Sequence, residues 1–246
     1  MVRGWLIFIL ANVLIFLFLI PAYDFRPDLH TLSKNRLTLL NIHGSIWYGS
    51  ASLGISDGRR TYALPGEINW YPMLFLDGMI IGFSVSHPNL EDNIYFGLRP
   101  IGFGLGSGKA SFPATWLTAL GAPFNSIRPE GQIELNWGRI VSGEPFKAEL
   151  IWTDAQSVLS QVRPLGDYKL EVSGVTKGPM NFKISTLKGK LQIDVSGETK
   201  PGEKPNIKGY ASASDGVDSP IKGILGHIGR PKDGKYEITI FNEVGR

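Results

Sequence analysis

The run WLIFILANVLIFLFLI, Trp5–Ile20, constrains this chain more than any other feature: sixteen residues with Asn12 as the only polar side chain. As a helix it spans roughly 24 Å, and the flank to Tyr23 brings it close to a hydrocarbon core of about 30 Å. Trp5 and Tyr23 suit the two membrane interfaces, and Arg3 is the one charge ahead of the span. The positive-inside bias then keeps the amino terminus cytoplasmic and exports the rest. A cleaved signal peptide is the competing reading. Against it, Ile20-Pro21-Ala22 is a poor small-x-small site and the apolar stretch outruns a usual signal core. The expected layout is an uncleaved anchor over 1–23, a Pro- and charge-marked linker over 24–36, and one exported body over 37–246.

That body is turn-rich. Thirty glycines and sixteen prolines in 246 residues favour short strands over a helical bundle, and a 43% hydrophobic fraction excludes wholesale disorder. The net charge is +3. Residues 177–246 hold twelve Lys/Arg against eight Asp/Glu, a balance of +4, which leaves −1 for residues 1–176. This bias suits an anionic lipid surface or an acidic partner and is too weak for nucleic acid. There is no cysteine. Disulfides, thiol nucleophiles, iron–sulfur clusters and cysteine zinc sites are therefore all excluded.

Strands are expected at Thr38–Trp47, Gly49–Ile55, Thr61–Leu64, Glu67–Trp70 and Gly78–Ser86, with a hairpin signal at Asp57-Gly58 and a brief helical turn from Pro72. A repeat shows when residues 44–86 are set beside 131–173. Each begins with a Gly-x-Ile strand, continues into a strand ending in Ile-x-Trp, passes a short helical element and closes on a Gly-led strand. Trp70 matches Trp152, and Gly78 matches Gly166. A degenerate third copy covers 189–240. In the second copy Asp154 suits a helix N-cap, with Ala155, Val158, Leu159 and Val162 as an apolar stripe before Pro164. In the third, Ser219 suits the cap, and Ile221, Ile224, Leu225 and Ile228 form the stripe. Ala114–Leu120 predicts a further short helix. These helices are candidate interface or lipid-contact elements that would lid one face of a sheet.

No catalytic constellation emerges. GFGLGSGK (102–109) lacks the Walker pattern, with Phe103 and Ala110 at required Gly and Ser/Thr positions. It fails the dinucleotide pattern too, with Lys109 in place of the third glycine. Its alternation predicts a strand with one bare glycine face. His30, His43, His87 and His227 form no ligand spacing. Ser157 and Ser160 lie outside any nucleophile elbow and read as the solvated side of a helix. Tyr168 alternates with Leu170 and Val172 as one strand face. Catalytic, metal and cofactor sites are therefore not expected.

Several stretches together carry a resemblance: HGSIWYGSASL (43–53), INWYPMLFLDG (68–78), LTALGAPFNSIRPEGQIELNW (117–137), DAQSVLSQVRPLGDYKLEV (154–172), LKGKLQIDVSGE (187–198) and ILGHIGRPKDGKYEITI (224–240). In number and order they resemble the N component of the type II secretion system, GspN. The resemblance implies a single-pass cell inner-membrane protein with a periplasmic, mostly antiparallel β domain, accessory to export of folded proteins, and it brings no catalytic residues. Two functions follow as expectations. One is a non-enzymatic subunit working through contacts with other secretion components. The other is an anchored module that binds or transfers phospholipid in an apolar groove of a curved sheet.

Overall fold

The computed structural model describes residues 37–56, 61–75, 77–120, 124–214 and 229–240, with Ile221, Leu225 and Gly226 between the last two. Trp5, Tyr23 and the apolar amino-terminal run lie outside the described residues, as does the Asp57-Gly58 turn. No helix among the described residues is long and apolar enough to cross a membrane.

The chain is mainly β, in two open antiparallel sheets. The first is a near-sequential meander: β1 (Leu37–Gly44), β2 (Gly49–Ser56), β3 (Thr61–Leu74), β4 (Ile81–Ser86), β5 (Ile94–Leu98) and β6 (Phe103–Leu105), closed by the two-residue β9 (Ile140–Val141). The second begins with β7 (Gly108–Pro113) and β8 (Glu130–Trp137). It continues through β10 (Pro145–Gln156), β11 (Gly166–Val175), β12 (Met180–Gly189), β13 (Leu191–Thr199) and β14 (Asn206–Ala213) to the hairpin β15 (Arg230–Lys232) and β16 (Lys235–Ile240). Between β7 and β8 lie a 3₁₀ helix, Ala114–Leu120, where a short helix is expected, and the one-turn α1, Phe124–Ile127.

The sheets join where the chain leaves β6. Glu91 N–H donates to the Lys109 carbonyl and Ser111 N–H to that of Asn89, at 3.0 and 2.8 Å, around the bridge pair Leu90 and Ala110. The Lys109–Glu91 ion pair at 2.9 Å spans the same seam. This corrects the single glycine-faced strand expected over 102–109. Gly104 sits in β6 and Gly108 in β7, which belong to different sheets, and Gly102 is a turn residue with φ +82°. The glycines serve a sheet switch, and side-chain alternation cannot report one.

Period-2 patterning builds the second sheet. Ile133, Trp152 and Tyr168 sit side by side across β8, β10 and β11, as do Leu135, Leu150 and Leu170, a row that Ile184 and Val195 extend over β12 and β13. Tyr168, Leu170 and Val172 do share a face. The opposite face is charged, with Lys169 bridging Glu149 at 2.7 Å and Glu171 at 3.1 Å. Ala155, Val162, Leu165, Tyr168, Leu191, Ala211, Ile221 and Leu225 form a buried cluster over one end of the apolar face. Each fully buried large aliphatic there is worth about 1.5–3 kcal/mol.

Two helix expectations fail. The segment after Pro72 stays in β3, because Pro72 pairs with Phe83 and Leu74 with Ile81. The 155–162 stripe is no helix either, since β10 runs to Gln156 and an irregular turn follows. Ala155 and Val162 are buried, whereas Val158 and Leu159 are 45% and 59% exposed. The serines cause this. Ser157 Oγ accepts from Leu159 N–H at 3.1 Å and donates to the Ile127 carbonyl at 2.7 Å. Ser160 Oγ accepts from Val162 N–H at 2.9 Å. Such short-range bonds compete with a helix ladder, and both serines are buried rather than solvated. Asp154 is not a cap: at φ +50° it occupies a β-bulge, and its N–H donates to Asp167 Oδ1 at 2.9 Å.

The expected helix of the third copy is met in part. Ile221, Leu225 and Gly226 are helical, and the first two are buried, while Ser219, Ile224 and Ile228 lie outside the described residues.

Candidate functional site

The first sheet places a row of large apolar side chains on one face, and no described residue fills the space above them. Ile68 and Trp70 on β3 lie beside Ile81, Phe83 and Val85 on β4, then Phe96 and Leu98 on β5 and Phe103 on β6, with Leu39 reaching in from β1. Together they line an open trough of about 600 Å³, within the ~300–1,000 Å³ of small-molecule sites. Ile46 and Trp47 in the β1–β2 turn complete its wall, and no lining side chain is titratable.

An aromatic row organises the surface. Trp47 stacks on Phe83 at 6.1 Å between centroids, Phe83 on Phe96 at 5.7 Å, and Phe96 meets Phe103 at 6.3 Å. Ser45 holds the turn that carries Trp47, its Oγ accepting from the N–H groups of Trp47 and Tyr48 at 3.3 and 3.2 Å. Trp70 lies across Gly49, its cross-strand partner, and its indole N–H is shared between the carbonyls of Ser45 and Ile46 at 3.2 and 3.1 Å. A side chain at Gly49 would collide with the ring, so glycine there lets the indole lie flat. The same device recurs at the sheet junction. Trp137 covers its partner Gly108, and its N–H donates to the Gly106 carbonyl at 2.9 Å. Trp152 likewise donates to the Glu130 carbonyl at 3.0 Å. Trp70 and Trp152 thus each tie a strand to backbone about two dozen residues earlier.

The titratable groups play structural parts. Burial, with a smaller contribution from Asp167, pushes the Tyr168 phenol well above its ordinary range, and its hydroxyl donates to the Leu191 carbonyl at 3.1 Å. Burial lowers His87, whose ring meets Trp116 edge-on at 6.3 Å. Hydrogen bonds to Glu149 and Glu171 raise Lys169 on the charged face of the second sheet. Ser84 is fully buried, so its hydroxyl is not offered to a substrate.

The structure gathers four of the expected contact residues, Ala155, Val162, Ile221 and Leu225, into one cluster, but as core and not as a presented surface. Val158 faces a separate hollow beside Tyr62, Trp116 and Pro129. Leu159 is exposed in the 157–165 turn. None of the residues lining the trough is among the expected contact residues. The trough's signal is present as alternation in Ile81-Phe83-Val85 and Ile94-Phe96-Leu98, but alternation marks an apolar face without saying whether anything covers it.

The family model for type II secretion system (T2SS), protein N, matches residues 35–239, nearly the whole described body. The chain belongs to the type II secretion system protein N family. Protein N is a component of the secretion machinery and not of a known enzyme family, which ties this chain to protein export and to the cell envelope. No curated protein and no solved structure matches it.

Proposed function

We propose that this protein N is a non-enzymatic accessory component of the type II secretion system, held in the inner membrane by Trp5–Ile20, with its C-terminal β domain in the periplasm. It supports export of folded proteins through contacts with other secretion components. The family match over 35–239 carries this reading. The end strands β1 and β15 suit it, since an edge strand offers backbone groups to a partner. Deleting the gene and assaying secreted substrates tests it: export should fall, and unchanged export of every substrate would refute the role.

A second reading is favoured by one observation, the trough walled entirely by apolar and aromatic side chains. Such a surface fits a phospholipid acyl chain, held with no polar group of the protein desolvated. A photocrosslinking residue in place of Val85, in the full chain and in cells, should capture phospholipid. Capture of protein alone, or of nothing, would refute the lipid reading.

A further inference from the structure

In the first sheet the β3–β4 and β5–β6 turns fall side by side at one end, where Leu74, Ile81, Leu98 and Phe103 pair in a row, while the β1–β2 turn stops level with Trp70. That end is apolar. Leu74, Phe75 and Ile80 at the β3–β4 turn are 64%, 81% and 46% exposed, and Leu98, Ile101 and Phe103 at the β5–β6 turn are 59%, 86% and 45% exposed. They are six of the fourteen exposed large hydrophobic side chains among the described residues. Single exposed apolar residues need no explanation, but a gathered patch does. At the other end the β4–β5 turn carries Asn89, Glu91, Asp92 and Asn93.

Two further observations select the occupant. Leu98 and Phe103 belong both to the exposed end and to the trough wall, so the patch and the trough form one continuous apolar surface. The chain ahead of β1 also limits where this end can lie. The linker over 24–36 is thirteen residues, reaching at most about 45 Å when extended, while Leu37 lies level with Tyr62, ~40 Å along β3 from Leu74. With Trp5–Ile20 inserted, a linker near full extension leaves the apolar end at the surface of the same bilayer.

Resting on the anchor and the lipid reading above, we propose that the β3–β4 and β5–β6 turns seat in the outer leaflet of the membrane that holds the anchor. Phe75, Ile80 and Ile101 enter the acyl region, and the trough opens directly onto it. An acyl chain then passes from leaflet to trough along Leu98 and Phe103 without crossing water. Interfacial elements of this kind typically bury their apolar face roughly 5–10 Å into the headgroup boundary.

The absence of cysteine makes the test direct. Full-length Phe75→Cys, Ile101→Cys and, as a reference at the opposite end, Glu91→Cys are each labelled with an environment-sensitive fluorophore. They are reconstituted into vesicles of phosphatidylethanolamine and phosphatidylglycerol. The labels at 75 and 101 should lose accessibility to aqueous iodide and be quenched by nitroxide-bearing phospholipid, while the label at 91 behaves oppositely. Iodide access at 75 and 101 equal to that at 91 would overturn the proposal. Shielding from iodide without nitroxide quenching would overturn it too, by pointing to a protein cover. Phospholipid capture at position 85 combined with unquenched tips would refute the seating alone; quenched tips without capture would refute the trough reading alone.

Discussion

Gly108→Ala should destabilise the protein through Trp137 and through nothing else. A Cβ at position 108 would lie 2.8 Å from Trp137 Cη2 and 2.9 Å from Cε2, inside van der Waals contact. The ring has little freedom to yield, being 8% exposed and hydrogen-bonded to the Gly106 carbonyl at 2.9 Å. Overpacking of this kind costs about 1–3 kcal/mol, and stretching the indole bond adds about 1 kcal/mol. Alanine returns about 0.5–1 kcal/mol, because glycine is the poorer residue in a strand. The net loss should be about 1–3 kcal/mol, read as a lower urea midpoint by far-ultraviolet circular dichroism. In a Trp137→Leu background the obstructing ring is gone, and the same Gly108→Ala change should be neutral or stabilising by up to ~1 kcal/mol. Gly138→Ala is the control, since its Cβ would meet only the Lys147 carbonyl at 3.6 Å. An equal cost in both backgrounds would refute the idea that glycine is required here by the indole.

Two further outcomes follow from the second sheet. The Tyr168 phenol is raised in the folded state, so the stability linked to it is complete below the unfolded value of ~10 and is lost as pH rises above that toward the folded value. Tyr168→Phe should cost about 1 kcal/mol at neutral pH and flatten the alkaline limb of urea midpoints measured from about pH 8 to 11; an unchanged alkaline limb would refute the assignment. Asp154 sits at φ +50° in the bulge, so Asp154→Val should cost about 1–2 kcal/mol more than Asp154→Gly, measured as the difference in urea midpoints. Equal stability of the two variants would refute the bulge geometry.

Much of the fold was legible because strand patterning is local. The alternation of Tyr168, Leu170 and Val172 was readable from residue order alone. Helix reading failed where local chemistry imitated a helix. Asp154 followed by an i, i+3, i+4, i+7 stripe satisfies the pattern, but Ser157 and Ser160 close short turns onto backbone groups before a ladder can start. Asp154 itself is engaged across the sheet by Asp167, thirteen residues away in sequence.

By itself, then, the sequence determined the family, the β character of the body, the lack of thiol chemistry and the segment suited to a membrane. Each depends on composition or on neighbours within a few residues. Only the tertiary structure decided that the glycine run at 102–108 divides two sheets, that Ala155, Val162, Ile221 and Leu225 are core, and that the described residues leave the Phe83–Phe96–Phe103 face open. The physical reason is the same in each case. Alternation tells a side chain which face of its strand it shares, but whether that face is covered depends on segments brought over it from far along the chain.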